Sequence, residues 1–427
     1  MTTQDSSTVL AQKPKRLNLR TPDVMERVQA EVERHYRSRL VESILANGGV
    51  LRLGEVTIVL AKAFGFCYGV ERAIDLAYAA AKVFKGSRIF LLGEIIHNPE
   101  VNQQLSQMGI ISLPYTSQGY DLSCLTQHDV VIVPAFGAEI GVMKRLEQIG
   151  CLVVDTTCGD VMSVWKRVRE YAKAGFTSII HGKAWHEETR ATASYARGED
   201  GKAHYLIVYN LEETDYLCQY IRYGGDKQQF LKKFSGAMSP GFDPDLHLQR
   251  VGLANQTTML RGETEEVQNR IAKAIADRDG PRWQENFRFF DTICGATQER
   301  QDALWDLLRN KEKLRLDLLI VVGGYNSSNT SHLAEIGEAV LPTYFVKNAQ
   351  QLESLGKIYH YNQHKKIVEV TTNWLPQGPV TVGITAGASC PNNLIEQTIL
   401  RILELKGISK VKVEKYLRCA DSNSEQH

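Results

Sequence analysis

Residues 56–67, VTIVLAKAFGFC, run from an apolar strand-like stretch into a cysteine, and residues 68–84, YGVERAIDLAYAAAKVF, continue with helical periodicity. The same join occurs at CLVVDTTC (151–158) followed by GDVMSVWKRVREYAKAG (159–175), and at FRFFDTIC (287–294) followed by GATQERQDALWDLLRN (295–310). Cys67, Cys158 and Cys294 therefore each end a strand and open a helix. They stand too far apart along the chain for one local metal loop, so their thiols meet only if the chain folds as three similar units about a shared centre. Structural zinc sites are closed by four protein ligands, whereas an iron–sulfur cubane held by three thiolates keeps one iron free for substrate. Three thiols facing one point favour the second. A thiol at a helix start also feels the positive end of the helix dipole, which lowers its pKa. Gly65, Gly69, Gly159 and Gly295 are expected to leave room for a bulky inorganic core. The bland account, in which DTTC and DTIC are merely capping turns, requires the same coincidence three times.

Each unit repeats the strand–turn–helix join twice more. The second set is IFLLGEIIHNPE (89–100) with His97, SIIHGKAWHEET (178–189) with His186 and Glu188, and LLIVVGGYNSSNTSH (318–332) with Ser327, Ser328 and Asn329. The third is DVVIVPAFGAEIG (129–141) around Phe136, VGLANQTTMLRGET (251–264) around Thr257, and VTVGITAGASCPN (380–392) around Ser389. Alternating strands and helices imply an α/β fold with parallel sheets, whose binding groups collect beyond the carboxyl ends of the strands. The expected architecture is three such units in a pseudo-threefold trefoil around a central iron–sulfur cluster. The expected divisions are an extension at 1–54, units at 55–158, 159–293 and 294–417, and a tail at 418–427, with an insertion near 222–248 in the second unit. MERVQAEVERHYRSRLVESI (25–44) reads as one charged amphipathic helix in an appendage, after a Ser/Thr/Gln-containing start.

The second and third joins carry donors suited to phosphate: the imidazoles of His97 and His186, the hydroxyls of Ser327 and Ser389, the amide of Asn329, and turn N–H groups at helix starts. GGYNSSNTS taken alone could be an ordinary glycine-rich turn, and no Walker lysine accompanies it. HEETR lacks the second histidine of a zinc-protease HExxH motif, so His186 and Glu188 read instead as a pocket pair, with Glu188 a proton donor whose pKa is raised. No GxGxxG opens a dinucleotide unit.

Fifty Lys+Arg against 49 Asp+Glu leave a formal charge of +1, which removes the electrostatic footprint of a general nucleic-acid binder. No apolar run approaches the roughly 20 residues that span a bilayer, so a soluble protein without a membrane partner is expected. Eight cysteines in 427 residues lack the density of a small secreted domain and point to a reducing compartment. Cys124, Cys151, Cys218 and Cys419 are read as small buried hydrophobes, and Cys390 is left without a role. Asp5, Asp23, Glu26, Glu31 and Glu33 argue against a transit peptide, so a cytoplasmic location is expected over a plastid stroma.

Taken together, GFCYGVERAI, GEIIHNPEV, VDTTC, HGKAWHEET, NQTTM, DTICGATQERQDA, GGYNSSNTSHL and TAGAS resemble the 4-hydroxy-3-methylbut-2-enyl diphosphate reductase family over residues 55–413, with phrasing of its plant and cyanobacterial branch. The resemblance implies a 4Fe-4S cluster on Cys67, Cys158 and Cys294, and a two-electron reductive dehydroxylation giving isopentenyl and dimethylallyl diphosphate. It implies that His97, His186, Ser327, Ser328, Asn329 and Ser389 surround the substrate diphosphate. It also implies that Glu188 is the acid of a proton relay, with His186 beside it, that Thr257 lies near the reacting alcohol, and that a ferredoxin or flavodoxin donates the electrons. Two positions depart from the pattern: Phe136 stands where many bacterial members have histidine, and GDVMSVW follows Cys158 where a proline-containing turn is common. A cluster-dependent hydro-lyase and a non-enzymatic iron–sulfur sensor are the competing readings; the first needs no external reductant and the second no phosphate-binding ring.

Overall fold

The computed structural model of the chain describes Leu19 and residues 21–424, with side chains as far as Arg418. Short, wholly buried runs such as IFLL, VVIV and LLIVV form central parallel strands, as continuous apolar segments covered on both faces do. One four-stranded sheet has the order Ile110–Leu113, Ile89–Leu92, Val130–Val133, Leu152–Asp155, all parallel. A second has the order Tyr205–Val208, Thr177–His181, Val251–Asn255, Phe287–Phe289, again parallel. The third orders Val50–Leu53, Val56–Leu60, Val380–Ala386, Leu318–Val322 and Thr343–Val346; its first pair is antiparallel and the rest are parallel. The α/β trefoil expected from the repeat is the fold observed. All nine joins lie just past the carboxyl end of a strand, with Leu60, Asp155 and Phe289 leading to the three cysteines.

The strand Val56–Leu60, which the order along the chain groups with the first unit, pairs with Val380–Ala386 in the third sheet. Val56, Ile58 and Leu60 there share a core with Leu318, Ile320, Val382 and Ile384. A strand–helix repeat reveals the order of elements along the chain, not the partner with which a given strand will pair.

The amphipathic segment near the start is two helices, Pro22–Tyr36 and Arg39–Ala46, rather than one. Arg37 turns extended and the Ser38 hydroxyl caps the second helix by accepting the Val41 N–H at 3.0 Å. Nor are they an appendage: Val28 and Tyr36 pack with the first unit beside Tyr78, while Leu40, Val41 and Ile44 enter the core of the third sheet. The Ser/Thr/Gln-containing start lies outside the described residues.

The irregular segment at 222–248 forms the short helices Lys227–Lys233 and Pro244–His247, and its Phe230, Phe234 and Phe242 extend the second core. A three-stranded antiparallel sheet, Leu352–Ser354, Lys357–Asn362 and Ile367–Thr372, is inserted in the third unit. The final helix continues from Lys410 to Ser424, through the start of the expected tail. Cys151, Cys218 and Cys390 are buried, but Cys124 is exposed, because it sits in a surface turn with its carbonyl taken by Arg88; the Cys419 side chain lies outside the described residues. No helix among the described residues is long and apolar enough to cross a membrane.

Candidate functional site: a cavity lined by three cysteines

Cys67, Cys158 and Cys294 occupy the N-cap positions of the helices Tyr68–Val83, Gly159–Lys173 and Gly295–Arg309. All three line one cavity of about 590 Å³, within the range of small-molecule sites. The same cavity is lined by His97, Phe136, His186, Glu188, Thr257, Ser327, Ser328, Asn329 and Ser389, so every residue singled out at the nine joins meets here.

The sulfurs are packed against bare backbone. A Cβ at Gly69 would lie 2.6 Å from Cys158 Sγ and 3.9 Å from Cys67 Sγ, so this position must lack a side chain. Gly159 and Gly295 face open space instead, and a Cβ at Gly65 would meet Asn392 rather than a sulfur, so of the four glycines only Gly69 makes room at the thiols. The expected lowering of the thiol pKa by the helix dipole does not prevail. Burial pushes Cys294 up to about 12 and raises Cys158 as well. Loss of bulk water around the thiolate outweighs the dipole, even with the Thr297 N–H directed at Cys294 Sγ at 3.3 Å.

The polar residues of the same cavity are held by hydrogen bonds between segments far apart in the chain. His97 Nδ1 bonds Glu94 Oε2 at 2.9 Å, its Nε2 meets His186 Nε2 at 3.2 Å, and its ring stacks on Phe136 with centroids 4.2 Å apart. Phe136 thus supplies a wall to the histidine rather than another polar donor. His97, His186 and Glu187 are spaced closely enough to hold a metal ion. However, His186 Nδ1 accepts the Glu188 N–H at 3.2 Å, which places the ring proton on Nε2. Burial holds His186 neutral, well below the ordinary histidine value. That Nε2–H is directed at His97 Nε2, which also has Glu187 Oε2 at 3.5 Å, so the His186 donor is already engaged within the cavity.

Further donors face the same volume. Ser327 Oγ accepts from Thr330 N–H and hydroxyl at 3.3 and 2.9 Å, and Ser328 Oγ accepts from Gln256 Nε2 at 3.1 Å, which leaves both hydroxyl protons to donate elsewhere. Asn329 Oδ1 accepts the Ala388 N–H at 2.9 Å, while its buried Nδ2 has no hydrogen-bond partner among the described residues. An orphaned buried amide is expensive unless a ligand satisfies it. Ser389 Oγ donates to the His97 carbonyl at 3.2 Å. Gly324 approaches that carbonyl so closely that no Cβ would fit, which brings the first and third units into backbone contact.

Glu188 is 2% exposed, and burial raises its carboxyl to about 7 against the opposing pull of the Thr257 N–H and hydroxyl. The proton donor expected from sequence is therefore a group half-protonated near neutrality, by desolvation. Sequence reasoning passed over two supporting residues. Gln256 accepts from Thr189 Oγ1 and Lys183 N–H and donates to Ser328, joining two units; its signal was its place beside Thr257 in NQTTM. Asn98 caps the helix Pro99–Gln107 and donates to the Ser389 carbonyl at 2.9 Å, and the Asn-Pro pair after His97 announced that cap.

A family model described as LytB protein matches residues 58–403. The chain is 49% identical over 389 residues to a 4-hydroxy-3-methylbut-2-enyl diphosphate reductase of Gloeobacter violaceus, covering 90% of this chain and 91% of that protein. It is 47% identical to the protein of the same name from Thermosynechococcus vestitus, covering 90% and 94%. A solved structure of (E)-4-hydroxy-3-methyl-but-2-enyl diphosphate reductase, the terminal enzyme of the non-mevalonate pathway, matches with a TM-score of 0.50 and 27% identity over 81% of this chain and 99% of its own. The Plasmodium falciparum reductase matches in fold with a TM-score of 0.59 at 21% identity, covering 82% and 89%.

Proposed function

We infer the chemistry of the cavity from the premise that this chain belongs to the LytB protein family. It is an oxidoreductase of the non-mevalonate isoprenoid pathway, a 4-hydroxy-3-methylbut-2-enyl diphosphate reductase. The reaction removes the allylic hydroxyl with two electrons and two protons and gives isopentenyl or dimethylallyl diphosphate plus water. The observation that carries the reading is one cavity shared by three cysteines, a buried acid and a ring of anion donors.

The donor set fits an iron–sulfur group. Thiolates are soft ligands, and the three sulfurs do not form a cage tight enough for one ion among the described residues, as a single zinc would require. Separated sulfurs bordering a cavity, with Gly69 stripped of its side chain between two of them, suit a larger cluster. We propose one 4Fe-4S cluster on Cys67, Cys158 and Cys294, with a fourth iron free of protein ligands. When bound, the cluster supplies electrons and Lewis acidity at that open iron.

The chain's own residues do the rest. His97, His186, Ser327, Ser328, Asn329 and Ser389 bind the diphosphate, with the N-termini of the helices Glu187–Ala196 and Ser328–Glu338 adding turn N–H groups. That anchorage fixes the distance from diphosphate to hydroxyl, so the hydroxyl end faces the sulfurs. Thr257 positions Glu188 by donating its N–H to Oε1 at 2.6 Å, leaving Oε2 to carry the proton given to the departing oxygen. The Thr257 hydroxyl lies beside that transfer.

We further propose a ferredoxin or flavodoxin as the electron donor, since no GxGxxG opens a dinucleotide unit, and a cytoplasmic setting, on the cyanobacterial relatives. The division into units at 55–158, 159–293 and 294–417 is our reading of the repeat along the chain, with Val56–Leu60 belonging by its pairing to the third sheet. Anaerobic turnover of the allylic diphosphate with a chemical reductant tests the function: both isomeric products are expected, and substrate recovered intact with cluster-loaded protein would reject it.

A further inference from the structure

Arg300 lies in the helix capped by Cys294 and is 5% exposed. Its Nε and Nη2 donate to the Gly65 carbonyl at 3.2 and 2.7 Å, Nη2 also to the Phe66 carbonyl at 3.1 Å, and Nη1 to the Ala296 carbonyl at 2.8 Å. Gly65 and Phe66 are the two residues ahead of Cys67, and Ala296 belongs to the first turn after Cys294. One guanidinium therefore ties together the backbones that carry two of the three thiols.

Those partners are neutral. Among the described residues, Arg300 forms no ion pair with a carboxylate, an unusual state for a buried charge. Burial draws it below the ordinary arginine value, and the charges acting against that are first Cys67 and Cys294, then Glu299 and Glu71. Arg300 lines the same cavity as Cys67 and Cys294, so two thiolates there would face its charge together with the carboxylates of Glu299 and Glu71.

The brace recurs around the centre. Arg72, in the helix capped by Cys67, donates to the carbonyls of Thr156 and Thr157 at 3.2 and 3.1 Å, just ahead of Cys158. Arg167, in the helix capped by Cys158, stacks 3.4 Å from the centroid of Phe290, ahead of Cys294. Each cysteine helix sends an arginine to the loop of the next cysteine. Arg72 and Arg167 are half-buried and Arg300 alone is buried, so its field is the least screened by water.

We propose that Arg300 is a positioning residue of the cluster site, which clamps the Cys67 loop to the Cys294 helix and, as a buried positive charge beside both thiolates, makes the cluster easier to reduce. The proposal rests on the reading of the three cysteines as cluster ligands. A cluster held by thiolates gains negative charge with each electron it accepts, and a fixed neighbouring cation favours the reduced form. Arg300→Gln removes the charge while retaining polar reach. Arg300→Lys keeps the charge but cannot span three carbonyls with a planar fork.

The test uses full-length protein loaded anaerobically, with iron and sulfide measured per chain and the midpoint potential taken from a redox titration followed by electron paramagnetic resonance. Arg300→Gln is expected to make reduction at least about tenfold less favourable, a shift of about 59 mV to more negative potential for one electron. Arg300→Lys should stay near the wild-type potential and lose iron faster on exposure to a chelator. A loaded Arg300→Gln protein with the wild-type potential would overturn the proposal. If that variant fails to hold iron, Arg300→Lys decides: a potential near wild type supports the charge role, and a tenfold or larger loss of reducibility rejects it. A wild-type protein that binds no cluster would instead sink the cysteine reading itself, a distinguishable failure.

Discussion

The Thr257 N–H donates to Glu188 at 2.6 Å while the Thr257 carbonyl accepts the Cys294 N–H at 3.1 Å, so one residue couples the buried acid to a thiol loop. The proton donor we propose and the cysteine centre are held at a fixed separation by a single stretch of backbone. A change at Glu188 can therefore be read against the state of the cysteines.

Glu188→Gln preserves shape and removes the acid. Turnover should fall by about a hundredfold to ten-thousandfold, as for other positioned acid–base groups, with cluster content and substrate affinity retained. In the unaltered protein turnover should decline as pH rises past about 7, where the carboxyl loses its proton. Steady-state rates across pH, with iron analysis of each sample, check both statements; near wild-type turnover in the variant would remove Glu188 from the proton path.

The same carboxyl makes folding stability depend on pH. Its folded value, about 7, lies above its ordinary value of 4.5, so the folded state keeps a proton that the unfolded chain has released. Stability should fall as pH rises between these values and level off above the higher one. Urea unfolding of the cluster-free protein at several pH values should show this slope, and it should be flatter in Glu188→Gln.

Gly69→Ala places a methyl carbon where only 2.6 Å separates it from Cys158 Sγ. The variant should fold but load markedly less iron, resembling Cys67→Ser, Cys158→Ser and Cys294→Ser. Serine variants of Cys124, Cys151 and Cys218 should load normally. Since burial keeps the cluster-free Cys294 and Cys158 protonated, loading should also release protons and quicken with rising pH.

Asn329→Ala removes a buried Nδ2 that has no hydrogen-bond partner among the described residues and that we propose meets the diphosphate. A hydrogen bond to a charged group is worth about 1.5–3 kcal/mol, so diphosphate affinity should weaken by roughly tenfold or more. Inorganic diphosphate competition measures this without turnover, and an unchanged inhibition constant would exclude Asn329 from the anion site.

Much of this was legible because the repeat is local. A cysteine between an apolar run and an amphipathic helix announces an N-cap, and Cys67, Cys158 and Cys294 all proved to be one. The polar turns at His97, His186 and Ser327 obey the same rule. Features that depend on distant partners were not legible. Val56–Leu60 could have paired within its own unit, and nothing in VTIVL names Val380–Ala386 as its neighbour. Arg37 gives no warning that the first helix stops there, although Ser38 is a recognisable cap for the next. The thiol pKa values were misjudged because the helix dipole can be read from sequence, whereas depth of burial emerges only on packing. Arg300 looked like one more charge on a helix face.

The pairing of Val56–Leu60 with Val380–Ala386 also sets an order of events in biosynthesis. The loop bearing Cys67 hangs from a strand whose neighbour on the inner side of the sheet leaves the ribosome far later. While the chain is being made, that strand has only Val50–Leu53 beside it, and its other edge stays unpaired until Val380–Ala386 emerges. The earliest thiol of the site thus completes its anchorage late, and the cluster we propose there could be delivered only after nearly the whole chain has emerged.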